Sequence, residues 1–243
     1  MIKRYAETKL CRHGLMTYNT NDLYVGRSFQ LYGEFSGIEV DWLLGQLAED
    51  SHVVDVGANI GALTVLFATR CHKGRVFAIE PQVFAFHMLC ANIVTNSLIH
   101  AMPINCAAGS ECKTISVPCM DPLRTNNFGG LDIRVDAPGM PVQMITVDSL
   151  GLQKCDLIKI DVEGMEPDVL RGAVKTIEKF RPLLYVEADR PDSREETIEL
   201  IESFGYDMEP HEPPLFSPNN YAGRMENVFA NIVSMNLMCR PRN

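Results

Sequence analysis

Four carboxylates in this chain stand beside glycines or at the ends of apolar runs, where acids do chemistry: Asp55, Glu80, Asp161 and Glu163. Asp55 sits in the β-branched run Val53-Val54-Asp55-Val56, followed by the turn Gly57-Ala58-Asn59-Ile60-Gly61. The apolar residues Leu63, Leu66, Phe67 and Ala68 then recur at helical spacing. Strand, glycine turn and helix present backbone N–H groups at strand ends, where α/β proteins bind nucleotides. Gly57 and Gly61 let the backbone turn and approach a ligand with no Cβ in the way. A pyrophosphate turn usually reads Gly-x-Gly-x-x-Gly, but Ala58 and Asn59 stand where the second glycine would fall. A carboxylate at Asp55 would repel a pyrophosphate and suits a ligand with a cationic amino end. The expected cofactor is S-adenosylmethionine rather than NAD, held by Asp55, Gly57, Asn59 and Gly61.

Glu80 closes the run Arg75–Ile79 and precedes Pro81, which stops the strand. It follows the turn by about twenty residues, the separation at which nucleoside-binding folds place an acid for the ribose hydroxyls. Glu80 and Pro81 are therefore assigned to the cofactor, and Ala107, at the end of the next apolar run, to the adenine wall. Asp161 and Glu163 follow Cys155-Asp156-Leu157-Ile158-Lys159-Ile160. At a side-chain period of two, Lys159, Asp161 and Glu163 share one side. A lysine within an apolar strand is expensive unless paired, so a partner is expected among Asp161, Asp55 and Glu187. Asp161 and Glu163 are the candidate catalytic pair, with Asp161 also touching the cofactor and His211 as an outside candidate for the base. His87 reads as structural.

These residues require an alternation of strands and helices. Strands are expected at 53–56, 75–81, 102–108, 113–118, 142–147, 155–161, 182–187 and 206–209, with a last one within 227–238. Helices are expected after Gly61, over 84–94, 166–177 and from a capping box at Ser193 and Glu196. The pattern predicts an α/β, Rossmann-like, seven-stranded, mostly parallel sheet with an antiparallel last strand and helices on both faces. One domain is expected over 1–243, with a core at 49–243. In residues 1–48, Leu23–Val25 and Phe29–Tyr32 read as short strands and Ile38–Leu47 as a helix. This segment is either a cover over the site or a plain extension. The irregular stretch 119–140 is either a pocket wall, with Arg124, Asn126 and Asn127 touching substrate, or a solvated excursion.

Composition narrows the partners. The net charge of −9, with no Lys/Arg-rich run, disfavours nucleic acid. The 8 cysteines are scattered, with no Cys-x-x-Cys pair and no zinc-type spacing. No run approaches a membrane span, and Met1-Ile2-Lys3-Arg4-Tyr5 has no apolar signal region. A reduced, cytoplasmic protein is expected.

The turn Val54–Gly61, the acid in Ile79-Glu80-Pro81, the stretch Asp156–Glu166 with its Asp161-Val162-Glu163-Gly164 element, Val169-Leu170-Arg171-Gly172-Ala173 and Pro182–Glu187 together resemble the FkbM-type methyltransferases over roughly residues 32–190. The resemblance implies an S-adenosylmethionine-dependent enzyme that methylates a hydroxyl of a small molecule or sugar. A hydroxyl is a poor nucleophile, so a base or a divalent metal would assist. The sequence supports no metal and does not decide between these roles for Asp161 and Glu163. Two other readings are a nicotinamide-dependent oxidoreductase, disfavoured by the turn, and a non-catalytic cofactor-binding module.

Overall fold

The computed structural model describes residues 4–134 and 137–242. The chain opens with a hairpin of β1 (Ala6–Cys11) and β2 (Gly14–Asn19), then α1 (Val25–Tyr32) and α2 (Gly37–Gly45). Alternating elements follow: β3 (His52–Val56), α3 (Ala62–Arg70), β4 (Arg75–Ile79), α4 (Val83–Thr95) and β5 (Ala101–Ile104). A small excursion contains β6 (Ala107–Ala108), β7 (Lys113–Pro118) and β8 (Gly139–Ile145). The chain then returns through β9 (Leu157–Ile160), α5 (Glu166–Arg171), α6 (Val174–Phe180), β10 (Leu183–Glu187), α7 (Pro191–Ser203), β11 (Tyr206–His211) and β12 (Asn236–Pro241).

The main sheet has seven strands in the order β11-β12-β10-β9-β3-β4-β5. Only β12 runs against its neighbours, antiparallel to both β10 and β11. The expected sheet, with its reversed last strand and helices on both faces, is the one observed. Alternation along the central strands divides the apolar side chains between two cores. Val53 and Leu157 pack with α3, α4 and the N-terminal elements. Val54, Val56, Ile158 and Ile160 pack with α5, α6 and α7.

Register assembles a polar row inside the first of these cores. Asp55 pairs with Lys159 across β3 and β9, and Lys159 pairs with Tyr185 across β9 and β10. Two residues further along each strand come Gly57, Asp161 and Glu187. The glycine at 57 is obligatory. Its φ is +76°, and a Cβ there would lie 1.8 Å from the Asp161 carbonyl oxygen.

Several local expectations are corrected. Residues 25–32 form a helix instead of a strand, because Val25, Phe29 and Tyr32 are all buried at helical spacing. The stretch 102–108 splits between the main sheet and a separate three-stranded sheet of order β6-β8-β7. The helix expected over 166–177 breaks at Gly172, where a Cβ would lie 2.0 Å from the Gly109 carbonyl oxygen. Helix α7 starts at Pro191, whose fixed φ and absent N–H suit the first turn, so no capping box forms at Ser193. Residues 227–235 are irregular and the last strand begins at Asn236, because Phe229 packs against Tyr32 instead of joining the sheet. Of the stretch 119–140, Val135 and Asp136 lie outside the described residues.

Replacing Gly57 by alanine combines an unfavourable φ with a backbone collision. Urea denaturation of Gly57→Ala is expected to show a loss of at least ~2 kcal/mol. Gly151→Ala, at φ +60° in open space, should lose about 1 kcal/mol. Equal losses would show that the approach to Asp161 imposes no constraint.

Candidate active site

A cleft of about 320 Å³ opens at the carboxyl ends of β3, β4, β9 and β10. Its floor is the glycine turn. Asn59 adopts φ +52°, which aims its N–H at the Glu80 Oε2 at 2.8 Å. The Gln82 N–H reaches Oε1 of the same carboxylate, also at 2.8 Å. Glu80 thus ties the ends of β3 and β4 together while lining the cleft. Burial pushes its carboxyl up to about 7, against the opposing pull of these two N–H donors. A carboxylate has about four lone-pair sites, so capacity remains for two ribose hydroxyls. Ile79, Ala107, Ala108, Val162 and Met165 line the neighbouring wall, an apolar slot suited to a flat base. The residues present fit a nucleoside cofactor.

Lys159 lies behind the turn with its side chain 5% exposed. Its ammonium donates to the Gly57 carbonyl at 3.0 Å and lies 3.2 Å from Asp161 Oδ2 and 3.6 Å from Asp55 Oδ1. Burial alone would lower the Lys159 pKa, but Asp161 and Asp55 outweigh it and raise it above the ordinary value. Asp55 is fully buried and accepts from Thr64 Oγ1 at 2.6 Å. It does not line the cleft. The cationic partner anticipated for Asp55 in a ligand is supplied by Lys159 of the chain itself.

The opposite end of the cleft is rich in acids: Glu39, Asp161, Glu163, Glu187 and Asp189. One carboxylate oxygen from each of Asp161, Glu163 and Glu187 lies within 4.8 Å of the others. This is the group that could hold a cation, although Asp161 is paired with Lys159 and Glu163 with Arg190. Burial pushes Glu163 up to about 7, with Arg190 opposing. Burial, reinforced by Asp161 and Glu163, raises the Glu187 carboxyl well above its ordinary value. Glu39, on α2, is buried and accepts from Ser36 Oγ.

The cleft brings together Gly57, Asn59, Glu80, Pro81, Ala107, Asn127, Asp161 and Glu163. Five other anticipated residues lie elsewhere. Gly61 caps α3 at φ +83°, where a Cβ would meet Leu89 at 2.7 Å. Arg124 is a solvated side chain 3.5 Å from Asp121. Asn126 uses its backbone to pair with Asn21 and Leu23. Asp55 is the buried ion-pair partner described above. His211 is outside the cleft, on β11, 2.9 Å from the Tyr185 hydroxyl. Sequence reasoning missed Glu39, Asp189 and Asn236 as lining residues. Glu187 carried a signal, an acid closing a strand, whereas Asn236 was hidden by the misplaced last strand.

The model of the Methyltransferase FkbM domain matches residues 55–208. The chain belongs to the FkbM methyltransferase family. Among its relatives, methyltransferase sdnD of Sordaria araneosa is 23% identical over 68% of this chain and 77% of its own length. Hexuronic acid methyltransferase AglP of Haloferax volcanii is 30% identical over 56% of this chain and 55% of its own. The solved FkbM methyltransferase of Methylobacillus flagellatus shares the fold, with a TM-score of 0.55 and 18% identity over 79% of this chain and 44% of that one. The family match begins at Asp55, so Tyr24, Val25, Phe35 and Glu39 lie before it, and Leu215 and Ile232–Asn236 after it. The cleft walls from both flanks are therefore outside the shared region. No helix among the described residues is long and apolar enough to cross a membrane.

Removing the ammonium alone leaves Asp55 buried without a counter-charge. Lys159→Met is expected to cost ~3–5 kcal/mol in denaturant unfolding, with partial recovery in the Lys159→Met, Asp55→Asn double variant. A loss below 1 kcal/mol, by the same general scale, would contradict a buried pair. The Glu80 carboxyl titrates higher in the folded chain than its ordinary 4.5, so between these values the folded state holds the extra proton. Stability from this group therefore falls as pH rises from 4.5 towards 7. The ligand-free protein should lose about 2–3 kcal/mol more between pH 5 and 8 than Glu80→Gln, read from melting curves; parallel curves would refute the shift.

Proposed function

We propose that this chain is an S-adenosylmethionine-dependent methyltransferase acting on a hydroxyl of a small molecule or sugar. The observation that carries the reading is Glu80, hydrogen-bonded to the glycine turn and lining the cleft beside an apolar slot. The family match supports the same cofactor. When bound, that cofactor supplies an electrophilic methyl group, so the chain's task is chiefly to bind and orient. Glu80 takes the ribose hydroxyls, Ala107 borders the base, and the Gly57 turn lets the backbone approach.

The acceptor enters at the acidic end. Asp161 and Glu163 are the groups assigned to its proton: Glu163, pushed up to about 7, titrates where a general base works best, and Lys159 holds Asp161 in place. Apolar side chains at the mouth, among them Phe35, Leu215, Ile232 and Met235, fit an acceptor with an apolar body. Residues 1–48 serve as a cover of a single methyltransferase domain, a reading supported by Tyr24, Val25, Phe35 and Glu39 on the cleft wall. The net charge of −9 supports a small acceptor over nucleic acid, and eight unpaired thiols support a reducing, cytoplasmic setting.

A thermal-shift panel is expected to show stabilisation by S-adenosylmethionine and by its demethylated product, and none by NAD. Glu80→Ala should weaken cofactor binding at least ~fivefold in calorimetry, as loss of charged hydrogen bonds implies. Asp161→Asn should lower transfer of labelled methyl to small-molecule extracts far more than it lowers cofactor affinity. Stabilisation by NAD alone would remove the methyltransferase reading, and unimpaired turnover of Asp161→Asn would remove that residue from the chemistry.

A further inference from the structure

Two polar groups at the acceptor end are left without a hydrogen-bond partner and without a role in the proposed chemistry. Glu187 Oε2 and Asn236 Nδ2 are both shielded from water and both lack a hydrogen-bond partner. They occupy directly paired positions of antiparallel β10 and β12, so their Cβ atoms are about 4.5–5.5 Å apart on one face of the sheet. Both residues line the cleft, and Asn236 is only 6% exposed. Buried polar atoms are ordinarily paired, and leaving one without a partner is costly. An acceptor and a donor side by side, both unsatisfied, specify what would satisfy them.

Resting on the methyltransferase reading, we propose that Glu187 and Asn236 form the acceptor-recognition pair and select a neutral hydroxyl group. A hydroxyl both donates and accepts: its O–H would donate to Glu187 Oε2, the oxygen left without a partner, while its own oxygen accepts from Asn236 Nδ2. A carboxylate only accepts, so it would leave Glu187 Oε2 unpaired and add charge beside Asp161, Glu163 and Asp189. An ammonium only donates, so it would leave the Asn236 amide unpaired. Sites built on paired polar groups discriminate strongly for this reason. The assignment makes the pair positioning and specificity residues, with proton acceptance left to Asp161 and Glu163. It also places the selecting amide outside the residues shared with the family, since Asn236 lies beyond position 208.

Benzyl alcohol, benzylamine and benzoate share one apolar ring and differ only in the group offered to the pair. Their binding is measured by saturation-transfer NMR on full-length protein saturated with S-adenosylhomocysteine, whose own affinity is measured by calorimetry. Benzyl alcohol is expected to bind at least ~fivefold more tightly than either analogue. Asn236→Leu should abolish that preference. Glu187→Gln, which replaces one carboxyl oxygen by an N–H donor, should bring benzoate level with the alcohol. Both variants should hold S-adenosylhomocysteine within ~twofold of the parent. Equal binding of the three probes, binding of none, or a requirement for added Mg²⁺ would overturn the proposal while leaving the methyltransferase reading intact. So would variants that lower the melting temperature with the alcohol preference unchanged, which would make the pair purely structural. Failure of S-adenosylhomocysteine to bind the parent protein would instead overturn both readings.

Discussion

The structure depends on one buried ammonium. Lys159 occupies the middle of the sheet, where desolvation would expel a charge, and it is retained by contacts to Asp55, Asp161 and the Gly57 carbonyl. Those contacts join β3 to β9 at the point where both strands open into the cleft. An ion pair of this kind contributes little net stability over an apolar replacement, but losing one partner is severe. Its value here is geometric: it sets the height of the glycine turn relative to the acid that follows β9. Gly57 then completes the fit, because only a residue without Cβ clears the Asp161 carbonyl.

The site is divided by what each end must recognise. The cofactor end is stitched by backbone donors onto Glu80, with small and apolar residues beside it. The other end concentrates carboxylates whose burial, reinforced by mutual repulsion, pushes Glu163 and Glu187 towards the protonated form. Such crowding is costly to folding and is tolerated where a bound partner relieves it. The expected role of Asp55 as a ligand contact shows how this division is hidden in one dimension. Its type and spacing pointed correctly to a cation, but parity along the strand directs it inward to Lys159.

Legibility followed the range of the interactions involved. The main sheet, its reversed strand, the turn at Gly57 and the acid at Glu80 rest on local apolar runs and on two fixed separations, which are visible in a linear text. The partner of Lys159 was likewise inferable, because an unpaired lysine in an apolar strand has few remedies. Failures arose where distant segments override local pattern. Leu23–Val25 and Phe29–Tyr32 read as short strands until Phe229, some two hundred positions on by sequence number, supplied the surface for a helix. The same Phe229 withdrew residues 227–235 from the sheet, so Asn236 was invisible as a lining residue. Arg124 and Asn126 were drawn in by polarity alone, yet one is solvated and the other pairs through its backbone with Asn21 and Leu23 and turns its side-chain oxygen to the Asn127 N–H.

The placement of β12 between β10 and β11 has a consequence for the order in which the molecule is assembled during synthesis. β11 leaves the ribosome before β12 but has no strand to pair with until β12 has been inserted beside β10. The half of the sheet that carries Glu187 therefore keeps an open edge until residues 236–241 emerge. The nucleotide half is free of this delay, since β3, β4, β5 and β9 all precede it. Co-translational folding thus finishes the cofactor floor early and the acceptor wall last, and a nascent chain halted between them exposes a pairing edge that chaperones or neighbouring chains can occupy.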